Sequence, residues 1–141
     1  MSVYYVDKFL YQVDRDPELL ARYKAEPAAL LADWEAGLGT QLGNGATVER
    51  TSWLSLTSGE REALIAHDYL ALFEMGAHFF LNLTIFIGLY EEEYQATSGP
   101  LSFQLEMAQK LAPWLGKPYP NGYPPVSSTR YPGRGTAPRY R

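Results

Sequence analysis

The stretch AHFFLNLTIFIGLY, from Ala77 to Tyr90, runs for 14 residues with no acidic or basic side chain except His78. A helix that is apolar nearly all round must be covered on most of its sides. Spanning a bilayer takes about 20 such residues, so this segment is too short to cross one and reads as a helix buried by other helices or by another chain. The rest of the chain therefore has to supply the cover, or a partner must. With 141 residues, 46% of them hydrophobic and 14% aromatic, it has enough apolar material for one domain with a real core. Eleven tyrosines add side chains that favour interfaces.

Periodicity predicts helices on both sides of that run. Val6, Phe9, Leu10 and Val13 fall at i, i+3, i+4 and i+7, leaving Asp7, Lys8 and Gln12 toward water. Asp16-Pro17-Glu18 supplies an N-cap, a first-turn proline and a first-turn acid for a second helix, with Leu19, Leu20 and Tyr23 on its apolar face. Glu26-Pro27 repeats the punctuation for a third helix carrying Leu30, Leu31 and Trp34, which ends near Gly37. Thr57-x-x-Glu60 is a capping box, and Leu64, Ile65, Tyr69, Leu72 and Phe73 continue at helical spacing, predicting one helix from about Ser58 to Met75. Glu91-Glu92-Glu93-Tyr94 closes the apolar run. Ser98-Gly99-Pro100 opens a further helix with Leu101, Leu105, Ala108 and Leu111 on one face, ended by Pro113 and Gly116.

Two stretches break the pattern. Between residues 37 and 55, Gly37, Gly39, Gly43 and Gly45 are spaced by polar residues and no helical period survives, so this is a loop insertion. Residues 42–46 there offer the turn of a small β-hairpin, with Val48 and Trp53 on its return limb. The last 25 residues hold six Pro, three Gly, four Tyr and five basic residues with no apolar period, the composition of an extended tail. The expected architecture is all-α: a compact bundle of about five to six short helices over residues 1–116, a loop insertion at 37–55 and an extended tail at 117–141.

Composition also removes chemistry. There is no cysteine, which excludes disulfides, thiolate nucleophiles and cysteine-ligated metals. His67 and His78 are the only imidazoles, about three helical turns apart with Gly76 between them, so one helix would not bring them to a shared metal. Glu74 and His78 stand at i, i+4, yet a capping or hydrogen-bonding role is the plainer reading of those residues. Glu91 to Glu93 read as a solvated charge run or an interface contact. Gly37-x-Gly39 and Gly43-x-Gly45 lack the Lys-Ser/Thr and the immediate helix of a phosphate cradle. Residues 1–116 carry 7 Lys or Arg against 16 acids, whereas residues 117–141 carry five basic residues and no acid. An acidic body with a short basic tail is a poor nucleic-acid binder, and an arm that wraps a neighbour suits Pro and Tyr better. The opening residues lack the charged and apolar regions of a secretory signal, so a cytoplasmic location is expected.

The order of several short motifs carries a family likeness. Tyr4-x-x-Asp-Lys-Phe9, then Arg22-Tyr-Lys-Ala25 with Leu31-Ala-Asp-Trp34, then Leu56-Thr57 leading to Arg61 and Ala66-x-Asp68-Tyr69-x-Ala71, then Gly76 with its aromatic run and Glu92-Glu93-Tyr94, resemble the alpha (small) subunit of protocatechuate 4,5-dioxygenase and its LigA-type relatives. The likeness covers roughly Tyr4 to Tyr94 without the loop. It implies a helical subunit without iron, packed over the cleft of a larger beta subunit that holds a non-haem Fe(II) through two His and a Glu and opens a catecholic ring. The implied assembly is a hetero-oligomer, α2β2, with the aromatic substrate at the subunit interface and with no nucleic acid or membrane partner.

On that resemblance Gly76, His78, Phe79 and Phe80 are expected to wall the substrate pocket. Asn82, Phe86, Tyr90, Tyr119, Tyr123 and Tyr131 are expected at the partner interface, and no residue of this chain is expected to be catalytic or to bind metal. The 37–55 loop is longer than the family's link, the stretch from Phe86 to Glu91 is shorter, and the tail has no counterpart. LigA-like domains also serve as recognition segments of peptide precursors gripped by a backbone N-methyltransferase. That is the alternative reading, although this Pro/Arg/Tyr-rich tail is unlike such a substrate core.

Overall fold

The computed structural model describes residues 3–37 and 56–120, and every structural statement below concerns those residues. They form seven α-helices and no strand. The helices are α1 (Val3–Arg15), α2 (Pro17–Ala25), α3 (Pro27–Ala36), α4 (Ser58–Ile65), α5 (Tyr69–Glu74), α6 (Phe79–Ser98) and α7 (Ser102–Leu111), followed by a 3-10 turn at Ala112–Trp114. The hairpin expected at residues 42–53 lies outside the described residues.

The first three helices follow their punctuation. In α1, Val6, Phe9, Leu10 and Val13 are the buried residues, the set that the i, i+3, i+4, i+7 pattern picks out. Asp16 caps α2, its carboxylate accepting from the backbone N–H groups of Glu18 and Leu19, and Pro17 takes the first helical position. Pro27 opens α3, which buries Leu30, Leu31 and Trp34 and ends where the Gly37 N–H donates to Asp33 O.

The single helix expected from Ser58 to Met75 is two. The capping box forms as predicted, Thr57 Oγ1 accepting from Glu60 N and the Glu60 carboxylate accepting from Thr57 N. The helix then stops at His67, whose φ of 54° is left-handed. His67 N–H donates to Leu64 O and Asp68 N–H to Ala63 O, the paired bonds of a Schellman ending that glycine usually makes. Asp68 at once caps α5 by accepting from Ala71 N. A second ending of the same kind closes α5 at Gly76 (φ 99°), with Gly76 N–H donating to Phe73 O and Ala77 N–H to Leu72 O.

α6 is the central element, packed by α1, α2, α5 and α7. Its apolar run is thus covered largely from within the chain, and the helix continues past the three glutamates to Ser98 before Gly99 (φ 92°) ends it. Ile85, Phe86 and Leu89 face the core with Phe9, Tyr23, Leu64 and Phe103, each such side chain contributing about 1.5–3 kcal/mol by leaving water. α7 buries a different face from the one expected: Phe103 and Met107 are its buried residues and Leu111 packs partly buried against the core, while Leu101, Leu105 and Ala108 are exposed. Phe103 decides the orientation, because its ring meets those of Tyr69, Tyr90 and Tyr94 at 5.5, 5.5 and 5.2 Å. No helix among the described residues is long and apolar enough to cross a membrane.

Candidate aromatic site at the start of α6

The turn between α5 and α6 gathers the residues expected to matter most. Gly76 is buried, and a Cβ built on it would stand 3.3 Å from the Pro120 carbonyl oxygen and 3.6 Å from Val3 Cγ2. Only glycine serves here, through both its positive φ and that close approach. Val3 and Pro120 therefore converge on a residue distant from both in sequence. The close backbone approach expected at Gly76 is made by the chain's own residue 120.

His78 is the N-cap of α6, and its backbone N–H donates to Asp7 Oδ1 at 2.7 Å across 71 residues of sequence. Burial pushes the Asp7 carboxyl above its ordinary range, and the bond from His78 and the charge of that imidazole oppose the shift. A second link lies further along the same two helices, where the Thr84 hydroxyl donates to Asp14 Oδ1. Carboxylates of α1 thus fix both the start and the second turn of α6.

Around this turn the rings form a wall. Phe73, nearly fully buried, meets Phe79 at 6.1 Å, Trp114 at 5.6 Å and Tyr119 at 5.5 Å, all edge to face. Phe79 and Tyr119 lie parallel at 6.3 Å. Phe80 stands at the outer margin, 64% exposed, against Phe79 at 5.5 Å and the His78 ring at 6.2 Å. Offset and edge-on aromatic pairs add about 0.5–1.5 kcal/mol each beyond their burial. It offers apolar, flat surface beside the Asp7 carboxylate that holds the His78 backbone.

The other residues singled out in the sequence are placed differently. Asn82 and Phe86 are 1% and 0% exposed. Asn82 donates to Tyr69 O and Phe86 packs between the Tyr69 and Tyr90 rings, so both side chains are used within the chain's own core rather than offered to a partner. Tyr90 is half-buried and bonds His67. Tyr119 joins the wall described above, and Tyr123 and Tyr131 lie outside the described residues.

His67 and His78 are not brought to a common site. The Tyr23 carbonyl can only accept, so His67 Nε2 carries the proton and donates to it at 2.8 Å, leaving Nδ1 to accept from the Tyr90 hydroxyl at 2.6 Å. Burial holds this imidazole below its ordinary pKa, with the Tyr23 carbonyl bond opposing. Glu74 is exposed, and among the described residues no group of three or more His, Asp and Glu side chains is placed to hold a metal ion.

The sequence reading missed Asp7 and Trp114. Asp7 sits on the polar side of an amphipathic pattern, and Trp114 follows a proline that ends a helix, so neither carries a local signal of its role. Set against known proteins, the chain matches no family model, no curated protein and no solved structure.

Proposed function

We propose that this chain is the small subunit of a LigAB-type extradiol dioxygenase, holding no iron itself and covering the active-site cleft of a catalytic Fe(II) subunit that opens a catecholic ring. The observation that carries the reading is Phe80. Its ring is left 64% exposed at the start of α6, with Phe79 and His78 beside it and Asp7 accepting from the His78 backbone. A large aromatic presented to water suits a contact surface better than an isolated fold. Set over a cleft, the same ring walls a flat aromatic substrate and excludes water from it. The motif order from Tyr4 to Tyr94 supports the same reading.

In this scheme the bound metal and the oxygen chemistry belong to the partner, and this chain binds, shapes and closes. The assembly is a hetero-oligomer of the α2β2 kind in the cytoplasm. Co-expression with an extradiol beta subunit, followed by an Fe(II)-dependent ring-opening assay, tests it. The chain should co-purify with the beta subunit and raise its activity. Phe80→Ala should lower kcat/KM by roughly tenfold, about 1.4 kcal/mol, with the complex intact. Unchanged kinetics with every catecholic substrate would remove the pocket role. Ring opening by this chain alone with Fe(II) would overturn the division of labour, and capture of a peptide backbone N-methyltransferase in place of the beta subunit would favour the precursor-recognition reading.

A further inference from the structure

The Tyr90 hydroxyl is bonded to a base, and that base is aimed. His67 Nε2–H donates to the Tyr23 carbonyl at 2.8 Å, which leaves the Nδ1 lone pair to accept from the Tyr90 hydroxyl at 2.6 Å. The His67 backbone is fixed as well, in the left-handed turn between α4 and α5 with its N–H on Leu64 O. A hydroxyl held on a neutral imidazole that a third group orients is the arrangement of an activated phenol.

Other tyrosines of the fold are bonded differently. The Tyr23 hydroxyl donates to Leu64 O, a backbone carbonyl that does not take up a proton. The Tyr11 hydroxyl accepts from the Arg15 guanidinium. Tyr94 bonds the Glu106 carboxylate, but Lys110 shares that carboxylate and holds it below its ordinary range, which makes it a poorer proton acceptor.

We propose that Tyr90 and His67 form a one-electron redox site, at which the phenol gives an electron to a metal-centred outer-sphere oxidant and its proton to the imidazole. A phenol that loses an electron becomes a far stronger acid than any imidazolium, so electron and proton leave together. The Tyr90 O–H bond breaks, an N–H bond forms at His67 Nδ1, the oxidant is reduced by one electron, and a neutral phenoxyl radical remains beside an imidazolium. A reductant such as ascorbate returns the electron, and Nδ1 returns the proton to the phenol oxygen. The pair needs no iron on this chain and stands or falls independently of the dioxygenase assignment.

The surroundings keep both groups in the protonation state that the step needs. Burial, with the charge of Glu93 and the nearby Tyr94, pushes the Tyr90 phenol above its ordinary value, so no phenolate is present to lose an electron alone. Burial holds the His67 imidazole below its ordinary value, so Nδ1 is open at neutral pH. Both residues are half-buried, within reach of an oxidant outside the fold. The Phe86 ring, parallel at 6.2 Å, and the Phe103 ring at 5.5 Å flank the Tyr90 ring and shield a radical there from coupling to a second phenoxyl.

Flash photolysis of the full chain tests this, with tris(bipyridine)ruthenium(II) and persulfate generating the ruthenium(III) oxidant and transient absorption following the phenoxyl radical. The wild type should show a fast phase whose rate does not depend on buffer concentration, because the proton acceptor is internal. That phase should hold down to about pH 6.5 and fade in more acid solution, as Nδ1 takes a proton of its own. The titratable and charged groups facing the pair are Tyr23 and Lys24 of α2 and Glu93 and Tyr94 of α6, Lys24 and Glu93 being ion-paired with each other. Glu93→Gln should therefore keep the acid limb, which a profile set by Glu93 would lose. His67→Asn should slow the fast phase by about a hundredfold, the low end of what a positioned base contributes, and Tyr90→Phe should abolish it. Should either variant fail to fold, the buffer and pH profiles of the wild type decide alone. A wild type without the fast phase, a fast phase that survives Tyr90→Phe, or one whose rate rises with buffer concentration overturns the proposal.

Discussion

His67 ties three parts of the chain together from one ring. It ends α4 in a left-handed conformation, donates to the Tyr23 carbonyl of α2 and accepts from Tyr90 of α6. A folded-state pKa below the ordinary value of 6.5 means that the unfolded chain binds the extra proton first. Stability from this group is therefore complete above about pH 6.5 and is lost as pH falls toward the lower folded value. Thermal melts across that range should slope downward into acid for the wild type and less so for His67→Asn, which tolerates the left-handed backbone and does not titrate. Equal slopes would show that His67 does not set the acid sensitivity. Tyr23→Phe tests the neighbouring link: the Tyr23 hydroxyl donates to Leu64 O at 2.7 Å inside the core, and its loss leaves that carbonyl only the backbone donors of the α4 ending. Urea denaturation should register a cost of about 0.5–1.5 kcal/mol.

At the scale of elements, caps decide where helices begin and end. Thr57→Ala removes one half of a reciprocal pair at the start of α4 and should cost about 1 kcal/mol in the same measurement. Gly76→Ala forces a side chain into a positive-φ corner against Pro120 O and should cost about 1–3 kcal/mol. Both caps were legible in the sequence, as were the buried faces of α1 and α3, because capping residues and 3.6-residue periodicity are local signals. The break at His67 was not, since a histidine takes there the position that glycine normally marks. Nor was the face of α7: Leu101, Leu105 and Ala108 make as good a stripe as Phe103 and Met107. The choice between them rests on rings contributed by α5 and α6. The aromatic run of the candidate site could be read directly, whereas its support from Asp7 and Trp114 arises from contacts distant in sequence.

For the molecule as a whole, α6 organises the described residues and the other helices lie around it. The chain answers the demand of its apolar run largely internally, and among the large apolar side chains it leaves outward are Phe80 at the start of α6, Leu105 on α7 and Leu115 beyond it. The corner at Gly76 also has a consequence for folding order. Val3, Gly76 and Pro120 meet there across long stretches of chain, so closing the corner carries a large loop entropy. It should be among the last contacts made and the first released. Native-state hydrogen exchange should then find the amides of Gly76, Ala77 and His78 opening at a lower free energy than those of Ile85 and Phe86 in the middle of α6, a transient loosening beside the aromatic wall well short of global unfolding.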